Sequence, residues 1–385
     1  MEVRIFSDLD TFLTYRYAWD DLWHRSCTVL PTARAELIAH WVEHFAPRSR
    51  FAVVAVAEGD QLLAGLPLVE RRIKGGFRAA DLPANVWAAN GELLLDETGD
   101  VPGVLQQLCQ GVKQLGWPLL WIDMVPARTA RWQSFLWQAQ QAGLRCLVYW
   151  RYPVGLARIE EFACYWASRS QNLQKKVRKA LRQLEQHGTV EVRLFTQTST
   201  QQWEEALDQA WQIENASWKG EARTSVLCTP QMRDFYLHQT YRLAQFDFPR
   251  LAFLEVASRP IAFIFGWQAK GVFQALKIGY DPAFARFSPG HLLWYLCCQK
   301  LSELAKPVTV DFIGPLTDGI RPWANGIYPI GRVIIASNWW GTCFLAAYRA
   351  YRTCRGKAAQ PDWVAECSDT GAQPHHLLPE PNTVE

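Results

Sequence analysis

The sequence predicts an α/β protein made of two successive units on one plan, and three observations carry that prediction. The chain has 385 residues, 49% of them hydrophobic and 20% charged, enough for two cores of ordinary size and too long for one compact domain. Short apolar runs bounded by turn residues alternate with segments whose apolar residues recur at helical spacing. In each half a hairpin is followed by a strand, a helix and a strand, the order of a tandem repeat, although the halves share no visible identity.

The first half opens, over roughly residues 8–45, with helical patterns such as Leu37, Trp41, His44 and Phe45. FAVVAVAEG then begins the first sheet, and Glu58, Gly59 and Asp60 turn the chain into QLLAGLPLVERR. Helical VLQQLCQGVKQLG, strand-like PLLWIDMV, helical RWQSFLWQAQQAG and strand-like LRCLVYWRYPV complete an α/β unit. We place this unit at residues 1–155 and the next at 156–355. The tail 356–385 mixes Gly, Pro, Ser, Thr and acids without periodicity and reads as disordered.

Between the halves, SRSQNLQKKVRKALRQLEQHG sets Leu173, Val177, Leu181 and Leu184 on one helical stripe and ends at Gly188, a natural C-terminal cap. Its other faces carry Arg169, Lys175, Lys176, Arg178, Lys179 and Arg182, the densest basic cluster in the chain. That face is either solvated or a contact for phosphate, an acidic polymer or a membrane surface. The second half follows as strand VEVRLFT, helix TQQWEEALDQAWQIENASW, a further helical stretch PQMRDFYLHQTYRLAQ, and a hairpin of LAFLEVA and IAFIFGWQA turning at Ser258, Arg259 and Pro260. Strand FQALKIGY, a loop, helix HLLWYLCCQKLSELA and strands VTVDFIG and GRVIIAS end it.

Bulk properties exclude several classes. Lys and Arg number 40 against 37 Asp and Glu, so a net charge of +3 gives no drive towards nucleic acid. The N-terminus lacks the basic-then-apolar layout of a signal peptide, and no apolar run spans a bilayer, so we expect a cytoplasmic protein. Ten cysteines are scattered without a CxxC pair, which indicates reduced thiols. The adjacent His375 and His376 lack the further ligands a metal needs. Many of the 19 tryptophans lie at helical spacing with other apolar residues, and most belong to the core.

The clearest chemical signal is FQALKIGYDPAFARFSPGHLLWYL, where Ser288, Pro289 and Gly290 punctuate a loop just before a helix. Free N–H groups and the helix dipole at such a start attract an anion, and glycine lets it approach the backbone. Ser288 as a plain N-cap, with Pro289 at the first helical position, is the other reading. Upstream, Trp203, Leu207, Trp211 and Glu214 share one helical stripe, which sets a carboxylate beside apolar side chains. Desolvation raises such a group's pKa and suits it to act as a general base; pairing with a local lysine such as Lys219 is the alternative. Lys277 interrupts an apolar strand and needs a partner: a substrate carboxylate, a cofactor phosphate, Asp281 or Glu214.

Leu276 to Leu293, LKIGYDPAFARFSPGHLL, with Glu214, Ser217-Trp218-Lys219-Gly220 and Thr224 upstream, resembles GNAT-like acyltransferases of the CelD type, found in cellulose and exopolysaccharide biosynthesis. The shared features are an acid shortly before Trp-Lys-Gly, a small-residue Gly-Thr-Ala-like step, and a Lys-Ile-x-Tyr-Asp strand leading to Ser-Pro-Gly. Here the step reads Arg223-Thr224-Ser225, without its glycine. The likeness covers roughly residues 165–315.

The resemblance implies two tandem GNAT-like domains, each a mixed, mostly antiparallel sheet flanked by helices, the first one degenerate. By the same resemblance Phe287, Ser288, Gly290 and His291, with Lys277, bind acetyl-CoA or another acyl-CoA, and no metal takes part. Glu214 would be the base, Tyr280 the acid that protonates the leaving thiolate, and Trp218, Lys219, Asp281, Asp311 and Trp323 would line the acceptor end. The first-half loop IDMVPARTARW has no glycine, so we expect no cofactor site there, and that domain would serve to wall the cleft. The implied acceptor is a sugar or amino sugar of an exopolysaccharide precursor. The alternatives are an aminoacyl-tRNA donor, as in Fem-type enzymes of doubled GNAT architecture, and a non-catalytic scaffold in polysaccharide assembly.

Overall fold

The computed structural model describes residues 1–73 and 76–354; the tail at 356–385, with His375 and His376, lies outside the described residues. Contacts divide the chain into two units, one of residues 1–28, 32–153 and the stretch from Tyr328 onward, the other of residues 29–31 and 154–327.

The first unit contains β1 (Glu2–Phe6), α1 (Leu9–Thr14), α2 (Arg16–Arg25), α3 (Ala35–Phe45), β2 (Phe51–Glu58), β3 (Gln61–Arg72), β4 (Arg78–Asp81) and β5 (Leu94–Leu95). It continues with α4 (Val101–Gln114), β6 (Leu119–Val125), α5 (Ala130–Gln141) and the start of β7 (Arg145–Ile159). Strands run in the order β1-β2-β3-β4-β6-β13-β7, where β13 (Gly326–Ala336) and α12 (Trp339–Cys354) come from the far end of the chain. β2 is buried along nearly its whole length, with α4 packed on it, and the Trp19 side chain of α2 comes against Gly65 of the neighbouring β3. A Cβ at Gly65 would lie 2.3 Å from the Trp19 ring, so only glycine lets α2 pack this closely on β3.

The second unit repeats the plan. After β7 come α6 (Phe162–Ala167), α7 (Gln171–Glu185), β8 (Val190–Phe195), α8 (Thr200–Ala216), α9 (Trp218–Glu221) and α10 (Met232–Ala244). The antiparallel strands β9 (Pro249–Val256), β10 (Arg259–Ala269) and β11 (Val272–Tyr280) follow, then a 3-10 turn at Pro282–Phe287, α11 (Pro289–Leu304) and β12 (Val308–Pro315). The strand order is β7-β12-β11-β10-β9-β8, with β12 parallel to β11 and the other neighbours antiparallel. One face carries α7 and α11 over a core that includes Leu173, Val177, Leu254, Ile264, Phe273, Leu292 and Val310. The opposite face carries α8 and α10, whose Trp211 and Tyr236 meet Phe265 edge-on at 5.6 and 6.4 Å.

The expected mixed, mostly antiparallel sheets flanked by helices are present in both units. β1, β4, β5, α6 and α12 go beyond the sequence reading. β1 is a five-residue edge strand on β2, and β4 and β5 are too short to show a period. The β9–β10 turn, expected at residues 258–260, falls at Ala257 and Ser258, whose φ values of 50° and 61° are those of a two-residue hairpin turn.

Candidate active site

Helix α8 begins with a capping box, in which Ser199 Oγ accepts from the Gln202 N–H at 3.2 Å and Gln202 Oε1 accepts from the Ser199 N–H at 3.1 Å. Its stripe of Trp203, Leu207, Trp211 and Glu214 is buried as the spacing predicts, and Glu214 is fully enclosed. Glu214 Oε1 accepts from Lys219 Nζ at 2.8 Å, and Oε2 accepts from the Val226 N–H at 3.0 Å. Lys219 also donates to the Ile278 carbonyl at 3.0 Å. Of the two readings of Glu214, the ion pair with Lys219 is formed.

The Ser-Trp-Lys-Gly motif builds that pair. Ser217 Oγ donates to the Glu214 carbonyl at 2.6 Å and accepts from the Lys219 N–H at 3.3 Å. A Cβ at Gly220 would lie 1.8 Å from the Asn215 carbonyl oxygen, so the chain can double back here only with glycine. The turn closes when the Thr224 N–H donates to the Lys219 carbonyl at 2.8 Å. Arg223, at the place of the missing glycine, sits at φ 55°, in the left-handed region glycine reaches without strain. Ser225 Oγ donates to Asn215 Oδ1 at 2.7 Å and accepts from the Cys228 N–H at 3.2 Å.

Strand register assigns the faces. Lys277 lies opposite Phe265, Gln274 opposite Trp267, and Gln274 in register with Asp311 of β12, so these three polar side chains rise from the face covered by α8 and α10. Lys277 is half-buried, with Nζ 5.4 Å from the Tyr236 ring centre. Burial pushes its amine down to about 8; the Glu214 charge opposes this and the Lys219 charge adds to it. Burial and the Glu214 charge push the Tyr236 hydroxyl well up. Gln274 is 7% exposed, and its Oε1 has no hydrogen-bond partner among the described residues. Asp311 is equally buried, and its Oδ1 accepts from the Ile313 N–H at 2.9 Å.

β11 and β12 pair only where Val272–Gln274 meets Thr309–Asp311. Past Gln274 the parallel pairing stops, and residues 275–280 run on without a partner on β12 towards the turn that leads into α11. There Ser288 holds φ 54° and ψ 49°, and its hydroxyl makes no cap hydrogen bond. A Cβ built on Gly290 meets nothing within 4 Å, so the helix start faces open space. His291 Nδ1 accepts from Trp323 Nε1 at 3.2 Å while the two rings stack, which leaves Nε2 as the donor of a neutral imidazole. Burial, then the nearby Lys176 charge, holds its pKa below the usual histidine range.

The sheet thus separates the expected site residues into two groups. Glu214, Lys219, Lys277 and Asp311 lie on the face of α8. Phe287, Ser288, Gly290, His291 and Trp323 surround the start of α11, and Tyr280, 40% exposed and in register with Ala262, points to that same face. Trp323 is fully enclosed and supports His291. Trp218 is 65% exposed, and Asp281 pairs with Arg259 at 2.5 Å while accepting from the Ala283 N–H. Sequence reasoning passed over Gln274, whose signal was a second polar residue in FQALKIGY. The cations of α7 are exposed and make no ion pair among the described residues.

The first unit offers a contrast. Its counterpart of the β11–α11 connection is the segment from β4 to α4, not the loop after β6. At the start of α4 the Asp100 carboxylate accepts from the Gly103 N–H at 3.1 Å, so the chain's own negative charge takes the place an anion would fill. Among the described residues no group of His, Cys, Asp and Glu could hold a metal ion, and no helix is long and apolar enough to cross a membrane.

Residues 171–318 match the acetyltransferase (GNAT) domain family. Among solved structures, the chain is similar to FemX, with a TM-score of 0.55 at 10% identity over 86% of this chain and 97% of that one. It is similar also to a C-terminal domain of a putative lysylphosphatidylglycerol synthetase from Agrobacterium fabrum, with a TM-score of 0.51 at 13% identity over 88% and 96%. A protein of unknown function from Bacteroides thetaiotaomicron gives 0.51 at 11% identity over 87% and 99%. At these identities the likeness shows the fold. No curated protein matches the sequence. The chain carries a GNAT acetyltransferase domain over residues 171–318, in a fold whose two units repeat one plan, and it is an acyltransferase.

Proposed function

We propose that the enzyme transfers an acyl group from acetyl-CoA, or a longer acyl-CoA, to an amine or hydroxyl of a sugar or amino sugar of an exopolysaccharide precursor. The observation that carries the donor is the open start of α11, which follows the stretch of β11 that β12 leaves unpaired. Its N–H groups, the uncapped Ser288, the empty space over Gly290 and the neutral His291 suit a ligand carrying phosphate. Bound there, the donor supplies an activated acyl carbon. The unpaired edge of β11 would orient that group, and Tyr280 stands on the face from which a proton returns to the departing thiolate. The proton of the attacking group leaves towards the opposite face, where Glu214, Lys219 and Lys277 cluster. Resemblance to the CelD type supports the sugar acceptor. A CoA donor also fits a cytoplasmic enzyme, and the first unit is then a degenerate copy without a donor site.

Calorimetry with acetyl-CoA tests this reading. The wild-type protein should bind, and Gly290→Glu, which places charge and bulk where a Cβ meets no neighbour, should weaken binding at least about tenfold while leaving the fold intact. Absence of binding by the wild type, or equal binding by the variant, would overturn it.

A further inference from the structure

We propose that Lys277 is the general base of the transfer, taking the proton of the acceptor's attacking amine or hydroxyl, and that Glu214 is a positioning residue. The proposal rests on the acyl-CoA reading above and names the group that does its proton chemistry.

Glu214 is badly placed to take a proton from a substrate. It is fully enclosed, and each carboxylate oxygen already accepts a hydrogen bond, from Lys219 and from the Val226 N–H. Lys277 is placed well. It stands on the stretch of β11 that β12 leaves unpaired, it is half-buried, and it lies three residues beyond Gln274, the last residue in register with Asp311. Gln274 provides an independent sign of a polar ligand on this face, because its buried Oε1 accepts from nothing among the described residues. An amine or hydroxyl of the acceptor would supply the missing donor.

Glu214 of α8, Lys219 of α9 and Tyr236 of α10 face Lys277. Burial lowers the amine to about 8, so a usable fraction is neutral at physiological pH. In the transfer a bond forms between the acceptor nitrogen or oxygen and the acyl carbon, while the carbon–sulfur bond breaks and its electron pair leaves on sulfur. The proton of the attacking atom moves to the lone pair of Nζ. The thiolate takes its proton from Tyr280 or water, and the Lys277 ammonium returns its own to solvent.

Thiol release from acetyl-CoA with D-glucosamine as acceptor tests the proposal, with calorimetry of acetyl-CoA run on the same proteins. We expect kcat of the wild type to rise with pH to a plateau with an apparent pKa near 8. Lys277→Met and Lys277→Arg should each lose about 100-fold or more in kcat, since neither can take the proton, with acetyl-CoA affinity within about twofold of wild type. Methylamine added to Lys277→Ala should restore part of the rate. Variants that bind acetyl-CoA and keep kcat within about threefold of wild type, or an arginine variant as active as wild type, would overturn the assignment. So would a wild type that binds acetyl-CoA and releases no thiol with this acceptor. A wild type that fails to bind acetyl-CoA refutes the donor reading instead.

Discussion

Holding a lysine between Tyr236 and the Glu214–Lys219 pair works against folding, and the cost depends on pH. The folded pKa of Lys277, about 8, lies below its ordinary 10.5, so between those values the folded chain binds fewer protons than the unfolded one. Stability owed to this group therefore rises as pH climbs from about 8 to 10.5, and its burden is greatest below 8. Lys277→Met should stabilise the protein by about 3 kcal/mol at pH 7, a gain that fades towards pH 10.5, as read by urea unfolding over a pH series. A gain that stays constant with pH would point to packing alone. Glu214 has the opposite character, since its ion pair and backbone hydrogen bond tie α8, α9 and the chain at Val226 together. The helical spacing of residues 203 to 214 revealed that Glu214 is buried. Lys219 was legible as a partner, but not that the pair would form, because Lys219 returns to Glu214 only through a turn made possible by Ser217 and Gly220.

Two helices of similar length start in contrasting ways, and the contrast is chemical. α4 begins with Asp100, which caps the helix with its own carboxylate; α11 begins with Ser288, whose backbone is left-handed and whose hydroxyl caps nothing. Asp100→Ala should lower stability by about 1 kcal/mol, whereas Ser288→Ala should change it by less than about 0.5 kcal/mol, both measured by denaturant unfolding. A large loss at Ser288 would show that its hydroxyl caps α11 after all. At this scale the sequence was most informative where a period ran long: α7, α8, α11 and the two hairpins are legible from spacing and turn residues. It was least informative where pairing comes from afar. β4 gains its parallel neighbour through Ala80 and Leu120 alone, and β11 has no β12 partner past Gln274 because β12 pairs with three residues and then departs, a register no local pattern records.

At the scale of the molecule, the two units repeat one topology with different chemistry at corresponding places. Hydrogen exchange in the presence of excess acetyl-CoA should slow at residues 274–293 and remain unchanged at residues 82–103, since only the second unit leaves its helix start open. Protection of both segments would mean two donor sites. The plan itself was readable as a repeat of hairpin, strand, helix and strand, while the contrast between the two helix starts lies in single residues such as Asp100 and Gly290. The placement of β13 also has a consequence for how the protein is made. β13 runs antiparallel to β6 from Gly331 to Ala336, so the first unit cannot complete its sheet until every residue of the second has left the ribosome. Until then the β6 edge, with Trp121 and Ile122, is open to other partners, and the unit translated first is the one finished last.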